Sequence, residues 1–109
     1  MSVNKVILVG NLGADPDGRE TRGSGWVANL RLATTSRVKK GDEWVDDTEW
    51  HRVVCYGNTA ENVLEYCKKG KQLYVEGRIR TDKWEDKEGN TKFTTEIVAQ
   101  IVRFLGGRS

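Results

Sequence analysis

The sequence predicts an all-β chain: a five-stranded Greek-key barrel with one short helix between the third and fourth strands. Two observations predict it. Apolar and polar residues alternate with period two through five segments punctuated by glycine. A single window, after the third of these segments, repeats its apolar residues at helical spacing instead. The 109 residues suit one domain, residues 1–109, with a small core.

Composition excludes several classes. At 37% hydrophobic and 31% charged, the chain is too apolar for a disordered polymer. No apolar run exceeds four residues, against about 20 for a membrane span and roughly 7–15 for a signal peptide core. A soluble, cytosolic protein with no membrane partner is expected. The formal charge of +2 is only weakly basic, so any polyanion site must gather its cations on one face. Cys55 and Cys67 have neither metal-ligand nor disulfide-framework spacing, and read as reduced, buried small hydrophobes.

The first strand, Val3 to Val9, is apolar on both faces: Val3, Ile7 and Val9 on one, Val6 and Leu8 on the other. Such a strand needs cover on both sides, and in so small a protein one side is open to another subunit. Turn signals follow at Gly10–Gly13 and Asp15–Gly18. The second strand, Trp26 to Ser36, puts Trp26, Ala28, Leu30 and Leu32 inward and Arg31 outward. Arg37 to Asp47 reads as a long polar hairpin loop around Gly41. The third strand, Thr48 to Gly57, sets Trp50, Arg52, Val54 and Tyr56 on one face and His51, Val53 and Cys55 on the other.

The helix is expected to start at an Asn58 cap, with Glu61 reaching back. Ala60, Val63, Leu64 and Cys67 form its apolar stripe, Lys68 and Lys69 suit its negative end, and Gly70 terminates it. The fourth strand, Lys71 to Lys83, alternates Leu73, Val75, Gly77 and Ile79 with Tyr74, Glu76, Arg78 and Arg80. After a tip at Glu88-Gly89-Asn90, the fifth strand, Thr91 to Phe104, is expected to turn Phe93, Ile97, Ala99 and Ile101 inward. Three strands, a helix and two strands is the plan of an OB-fold, a small barrel that binds oligonucleotides or oligosaccharides.

The outward faces carry the chemical signal. Trp50, Arg52 and Tyr56 project together, as do Arg80 and Trp84 with Lys83 adjacent. Large aromatics among arginines on solvent-facing positions need a cover. Single-stranded nucleic acid supplies one: its bases stack on rings and its phosphates pair with cations. Stacking ignores base identity, so little sequence preference follows. His51, the only histidine, has no nucleophile or metal partner at useful spacing and reads as a core or subunit contact. Asp42, Glu43, Asp46, Asp47 and Glu49 read as a solvated loop. Neither a metal site nor a cofactor is expected, nor enzymatic activity.

The chain resembles the bacterial single-stranded DNA-binding proteins along almost its whole length. The resemblance is carried by Val3-Asn4-Lys5-Val6-Ile7-Leu8-Val9-Gly10-Asn11-Leu12-Gly13, Asp15-Pro16, Val27-Ala28-Asn29, Leu32-Ala33-Thr34 and Thr48-Glu49-Trp50-His51-Arg52-Val53-Val54. It continues through Lys69-Gly70, Val75-Glu76-Gly77, Thr81, Lys83-Trp84 and Leu105-Gly106-Gly107-Arg108. It implies an OB-fold homotetramer that wraps single-stranded DNA in replication, repair and recombination, in the bacterial cytoplasm at the nucleoid.

Residues and resemblance together put the DNA contacts at Trp50, Arg52, Tyr56, Arg80, Lys83, Trp84, Lys5 and Arg31. The subunit interface is expected at Val3, Lys5, Ile7, His51, Gln72 and Tyr74. Tyr56 stands where the family often has phenylalanine. Where relatives often carry another stacking tryptophan, this chain has Arg37-Val38-Lys39-Lys40; either charge replaces that platform or Trp44 does. The family's acidic-tipped tail has no counterpart in these residues, so replication and repair proteins are expected as partners only where a tail is present. The nearest alternative is a primosomal replication adaptor of the same fold. A metal-dependent nuclease and a structured-RNA-binding barrel are the more distant ones.

Overall fold

The computed structural model describes residues 1–23 and 25–106, so Gly107 and Arg108 of the family-like segment lie outside the described residues. Six strands and one helix follow in the order β1 (Val6–Leu12), β2 (Asp17–Thr21), β3 (Gly25–Lys40), β4 (Glu43–Tyr56), α1 (Gly57–Tyr66), β5 (Gln72–Glu85) and β6 (Thr91–Phe104). The sheet order is β1-β5-β6-β4-β3-β2, and β1 also pairs with β3. That last pairing, Asn11 opposite Ala33 and Leu12 opposite Leu32, closes β1, β3, β4, β5 and β6 into a five-stranded barrel. The expected OB-fold is therefore present, with its helix between the strands here numbered β4 and β5.

The short β2 forms where a turn was expected. It lies against Gly25–Asn29 of β3, next along the same edge to the residues that meet β1. The Gly13–Pro16 stretch is thus a bend between two segments serving one edge of β3. The first strand also starts later than its apolar run. Asn4 substitutes for ladder pairing there: its Oδ1 accepts from the Ile79 N–H (2.9 Å) and its Nδ2 donates to the Ile79 carbonyl (2.8 Å).

The core is the barrel interior plus the helix stripe. Leu30, Leu32, Val53, Cys55, Leu73 and Val75 pack with Leu12, Ala28, Ile97 and Ala99, and Ala60, Val63 and Cys67 close one side. Trp26 is half-buried against this cluster. Both cysteines are free and buried, and burial pushes the Cys55 thiol up to about 12. On β1, Val6 and Leu8 pack inward while Ile7 and Val9 are exposed.

Several expectations are corrected by pairing. Arg37–Asp47 is not a loop. β3 and β4 stay in register to Lys40 opposite Glu43, with Arg37 facing Asp46 and Val38 facing Val45, and turn at Gly41 with φ +62°. These opposite-charge and apolar cross-strand pairs hold the ribbon together. Helix α1 begins one residue before Asn58: Tyr56 is the N-cap and no side chain caps it. Cys67 ends it through its N–H to the Val63 carbonyl (3.0 Å), so Lys68, Lys69 and Gly70 lie beyond the helix.

Phe93 and Ile101 are exposed, not inward, and Ile79 is exposed as well. β1 covers β5 only to Gly77, and β4 covers β6 only at Ile97 and Val98. Past those points the β5–β6 hairpin has no core on either face. An irregularity at Glu76/Gly77, where Glu76 opposes Ile101 and Gly77 opposes Ala99, reverses the alternation that would have turned Ile101 in. Val54 shares the parity of Trp50 but is buried where β4 meets β6.

Two glycines set the barrel's tightness. A β-carbon on Gly10 would overlap the Ala33 carbonyl, and one on Gly77 the Val98 carbonyl. Backbone cannot yield as a side-chain tip can. Gly10→Ala and Gly77→Ala are each expected to destabilise the fold by about 1–3 kcal/mol, measured as a lower urea midpoint.

Candidate nucleic-acid interface

The site begins where the strands outrun the barrel. Trp50 sits on β4, six positions before the helix junction, and is 56% exposed. Its indole lies over Gly13, where a β-carbon would overlap Cζ3 and Cη2 of the ring. Gly13 is itself fixed by its N–H to the Arg31 carbonyl (2.9 Å). The absence of a side chain at position 13 thus makes the seat for the indole.

Arg31 and Arg52 face each other across the β3–β4 ladder, beside the Ala33–Trp50 pair. Together with Trp50, His51, Phe93, Thr94 and Thr95 they line an open cleft of about 310 Å³. A second cleft of about 310 Å³ continues from the same two arginines to Ala14, Asp15, Asp17 and Asn29. Arg31 and Arg52 are exposed, and among the described residues neither is in an ion pair. His51 bonds Thr34 Oγ1 through Nε2 at 2.8 Å.

The β5–β6 hairpin forms the far wall. Trp84 is 48% exposed, and its Nε1 donates to Thr94 Oγ1 at 2.9 Å, which ties this indole to the cleft that Trp50 lines. Lys83 stands opposite Phe93, and Phe93 is 67% exposed. The tip is held by Asp86, whose Oδ1 accepts from the N–H groups of Asn90 and Glu88, both at 2.9 Å. The bonds from Asn90 chiefly hold the Asp86 carboxyl below its ordinary range.

The remaining candidates separate. Tyr56 is exposed at the end of β4, and its hydroxyl accepts from Arg80 Nη2 at 3.0 Å. The same Nη2 donates to Glu96 Oε1. Arg80 is thereby held charged, by Glu96 first and Tyr56 second. Lys5 pairs with Glu76 at 2.6 Å, and that bond raises its ammonium above the ordinary range. Val3 and Ile7 are exposed, with Ile7 opposite Glu76; Tyr74 lies opposite Val9, and Gln72 opposite Asn11. Trp44 is exposed on the β3–β4 ribbon opposite Lys39, at the parity of Trp50.

Phe93 is the residue the sequence reading missed as a surface group. The signal was available: it lies three residues from Asn90, at the tip of the same charged hairpin that marks Trp84 as having no core to enter.

Two open clefts, exposed rings and arginines outside any ion pair among the described residues can take flat rings on one side and anions on the other. Gly13→Ala is expected to lift the Trp50 indole from its seat. In a variant retaining Trp50 as its only tryptophan, emission should move to the red while the urea midpoint changes little.

The chain matches the model of the single-strand binding protein family over residues 3–105. It is also similar to a solved structure described as a Plasmodium falciparum SSB complex with ssDNA. The TM-score is 0.87 at 33% identity, covering 97% of each chain. With the barrel, the helix position and a family match along nearly all its length, this chain belongs to the single-strand binding protein family.

Proposed function

We propose that the chain binds single-stranded DNA without sequence preference, coating and protecting it in replication, repair and recombination. As a member of this family it is a binding protein and not an enzyme. The observation that carries the DNA reading is the cleft: an indole seated at Trp50, a second tied to its lining through Thr94, and two arginines beside Trp50 with no ion pair among the described residues. The solved relative in complex with ssDNA supports the same ligand.

Bases stack on Trp50, Trp84 and Phe93, with Tyr56 at the barrel end and Trp44 as a further platform on the ribbon. Phosphates meet Arg31, Arg52 and Lys83. Every base has a π-face, so this mode discriminates poorly among sequences. Trp50→Ala and Trp84→Ala should each weaken oligo-dT binding by about 1–3 kcal/mol, followed by quenching of the remaining tryptophan emission. Binding should also weaken as salt rises, because phosphate contacts release counterions. Wild-type affinity in both variants would remove the stacking assignment.

The assembly proposed is a homotetramer. The outer side of β1 leaves Val3, Ile7 and Val9 uncovered, and Ile101 on β6 adds to them. Apolar groups gathered at one wall are suited to a second copy. Lys5, tied to Glu76, rims this face, with Tyr74 and Gln72 beside it, and His51 is the additional contact proposed. Light scattering should give a mass of about four subunits, and Ile7→Asp should lower it. Partners among replication and repair proteins, and action at the bacterial nucleoid, belong to the same proposal.

A further inference from the structure

Arg80, like Lys5, is an expected DNA contact whose charge is already engaged. Its Nη2 donates to Glu96 Oε1 and to Tyr56 Oη (3.0 Å), and its Nε lies 3.8 Å from Asp82 Oδ2. The Arg80 side chain is 31% exposed and that of Glu96 only 12%. Drawing the guanidinium away to a phosphate would leave a largely buried carboxylate without its partner, which is costly. An approaching phosphate also meets two carboxylates around this cation. Arg31 and Arg52 have no such neighbours in ion-pair range among the described residues.

Tyr56, by contrast, needs a hold. It is the last residue of β4, and Gly57, at φ +65°, turns the chain into α1 immediately after it. The ring stands exposed at that corner. Its hydroxyl is its one hydrogen-bonded anchor, and the donor is Arg80.

We propose that Arg80 and Glu96 form a strut that presets the Tyr56 ring for stacking, so that Arg80 is a positioning residue and not a phosphate ligand. The assignment rests on the stacking reading of Tyr56 given above. Glu96 sits opposite Arg80 on the β5–β6 ladder and fixes the guanidinium. The guanidinium then fixes the phenol. A ring held in place before the base arrives loses less freedom on binding. Phenylalanine at this position would stack but could not be held this way.

The test combines oligo-dT titrations over a series of salt concentrations with ring relaxation by NMR. Tyr56→Phe and Arg80→Gln should each weaken binding about 3- to 10-fold, the net worth of one ordinary hydrogen bond at an exposed site. The double variant should be no weaker than the worse single. The slope of log K against log salt should stay that of wild type. A slope reduced by about 0.7 in Arg80→Gln, the signature of one lost phosphate contact on a single strand, would overturn the proposal. So would wild-type affinity in Tyr56→Phe, which removes only an exposed hydroxyl and keeps the fold.

Glu96→Gln should also weaken binding although it deletes a negative charge; tighter binding with a steeper slope would show Arg80 to be a restrained phosphate ligand. Without DNA, the Tyr56 ring carbons should lose order in Arg80→Gln, and unchanged order sinks the strut. Failure of the wild-type chain to bind oligo-dT would instead defeat the function proposed above, and the ring measurement would still decide the strut.

Discussion

The structure depends on the closure of the barrel through β1. One seven-residue strand meets β5 along one edge and β3 at its far end, and without those last two pairs the sheet stays open. Closure demands close backbone approach, which explains Gly10 against the Ala33 carbonyl and Gly77 against the Val98 carbonyl. It also limits the core. Only strand lengths covered on both edges have an inside, yet β3, β4, β5 and β6 run fourteen to sixteen residues each. What lies beyond is two-stranded ribbon with two open faces. Trp44, Phe93 and Trp84 stand on those ribbons, and Trp50 at the root of one; their exposure follows from length against closure.

The charges follow the same division between what is tied down and what is left over. Lys5, Arg37, Arg80 and Lys92 each have a carboxylate within 4.0 Å. Arg31, Arg52 and Lys83 have none in ion-pair range among the described residues, and the two arginines line the cleft under Trp50. A formal charge of +2 therefore understates the local field. Among the described residues the cleft's two arginines keep their charge free of carboxylates, so that wall is basic although the whole chain is only weakly so.

Period-two alternation made the strands legible, and with them the barrel and helix order. It names two faces of a strand but not which is covered, because cover is supplied by residues far away in the chain. Leu30, Leu32, Val53 and Cys55 lie where neighbouring strands close over them, and the alternation there predicts burial correctly. Phe93 and Ile79 have the same local pattern but lie beyond the last covering strand. Ile101 adds a second cause, since the irregularity at Glu76/Gly77 shifts the count by one. The Arg37–Asp47 ribbon was obscured by polarity, its cross-strand pairs visible only once Gly41 is known to be the turn. At the site, Trp50 and Arg52 were legible because an indole and a guanidinium shared one parity. The Gly13 seat and the Arg80–Glu96 pair join segments whose adjacency only the fold creates.

Exposure alone would make poor stacking platforms, since a free ring must be ordered each time a ligand arrives. Three of the exposed aromatics have different remedies. Trp50 rests on bare backbone at Gly13, Trp84 hangs by its Nε1 from Thr94, and Tyr56 is tethered through its hydroxyl. None of the three needs the core, so the barrel's packing and the surface's readiness are set by different residues. That separation is what a small domain requires. Its core takes only Trp26 in part, but it is rigid enough, through one closed ladder, to carry Trp50, Trp84 and Tyr56 on its outside.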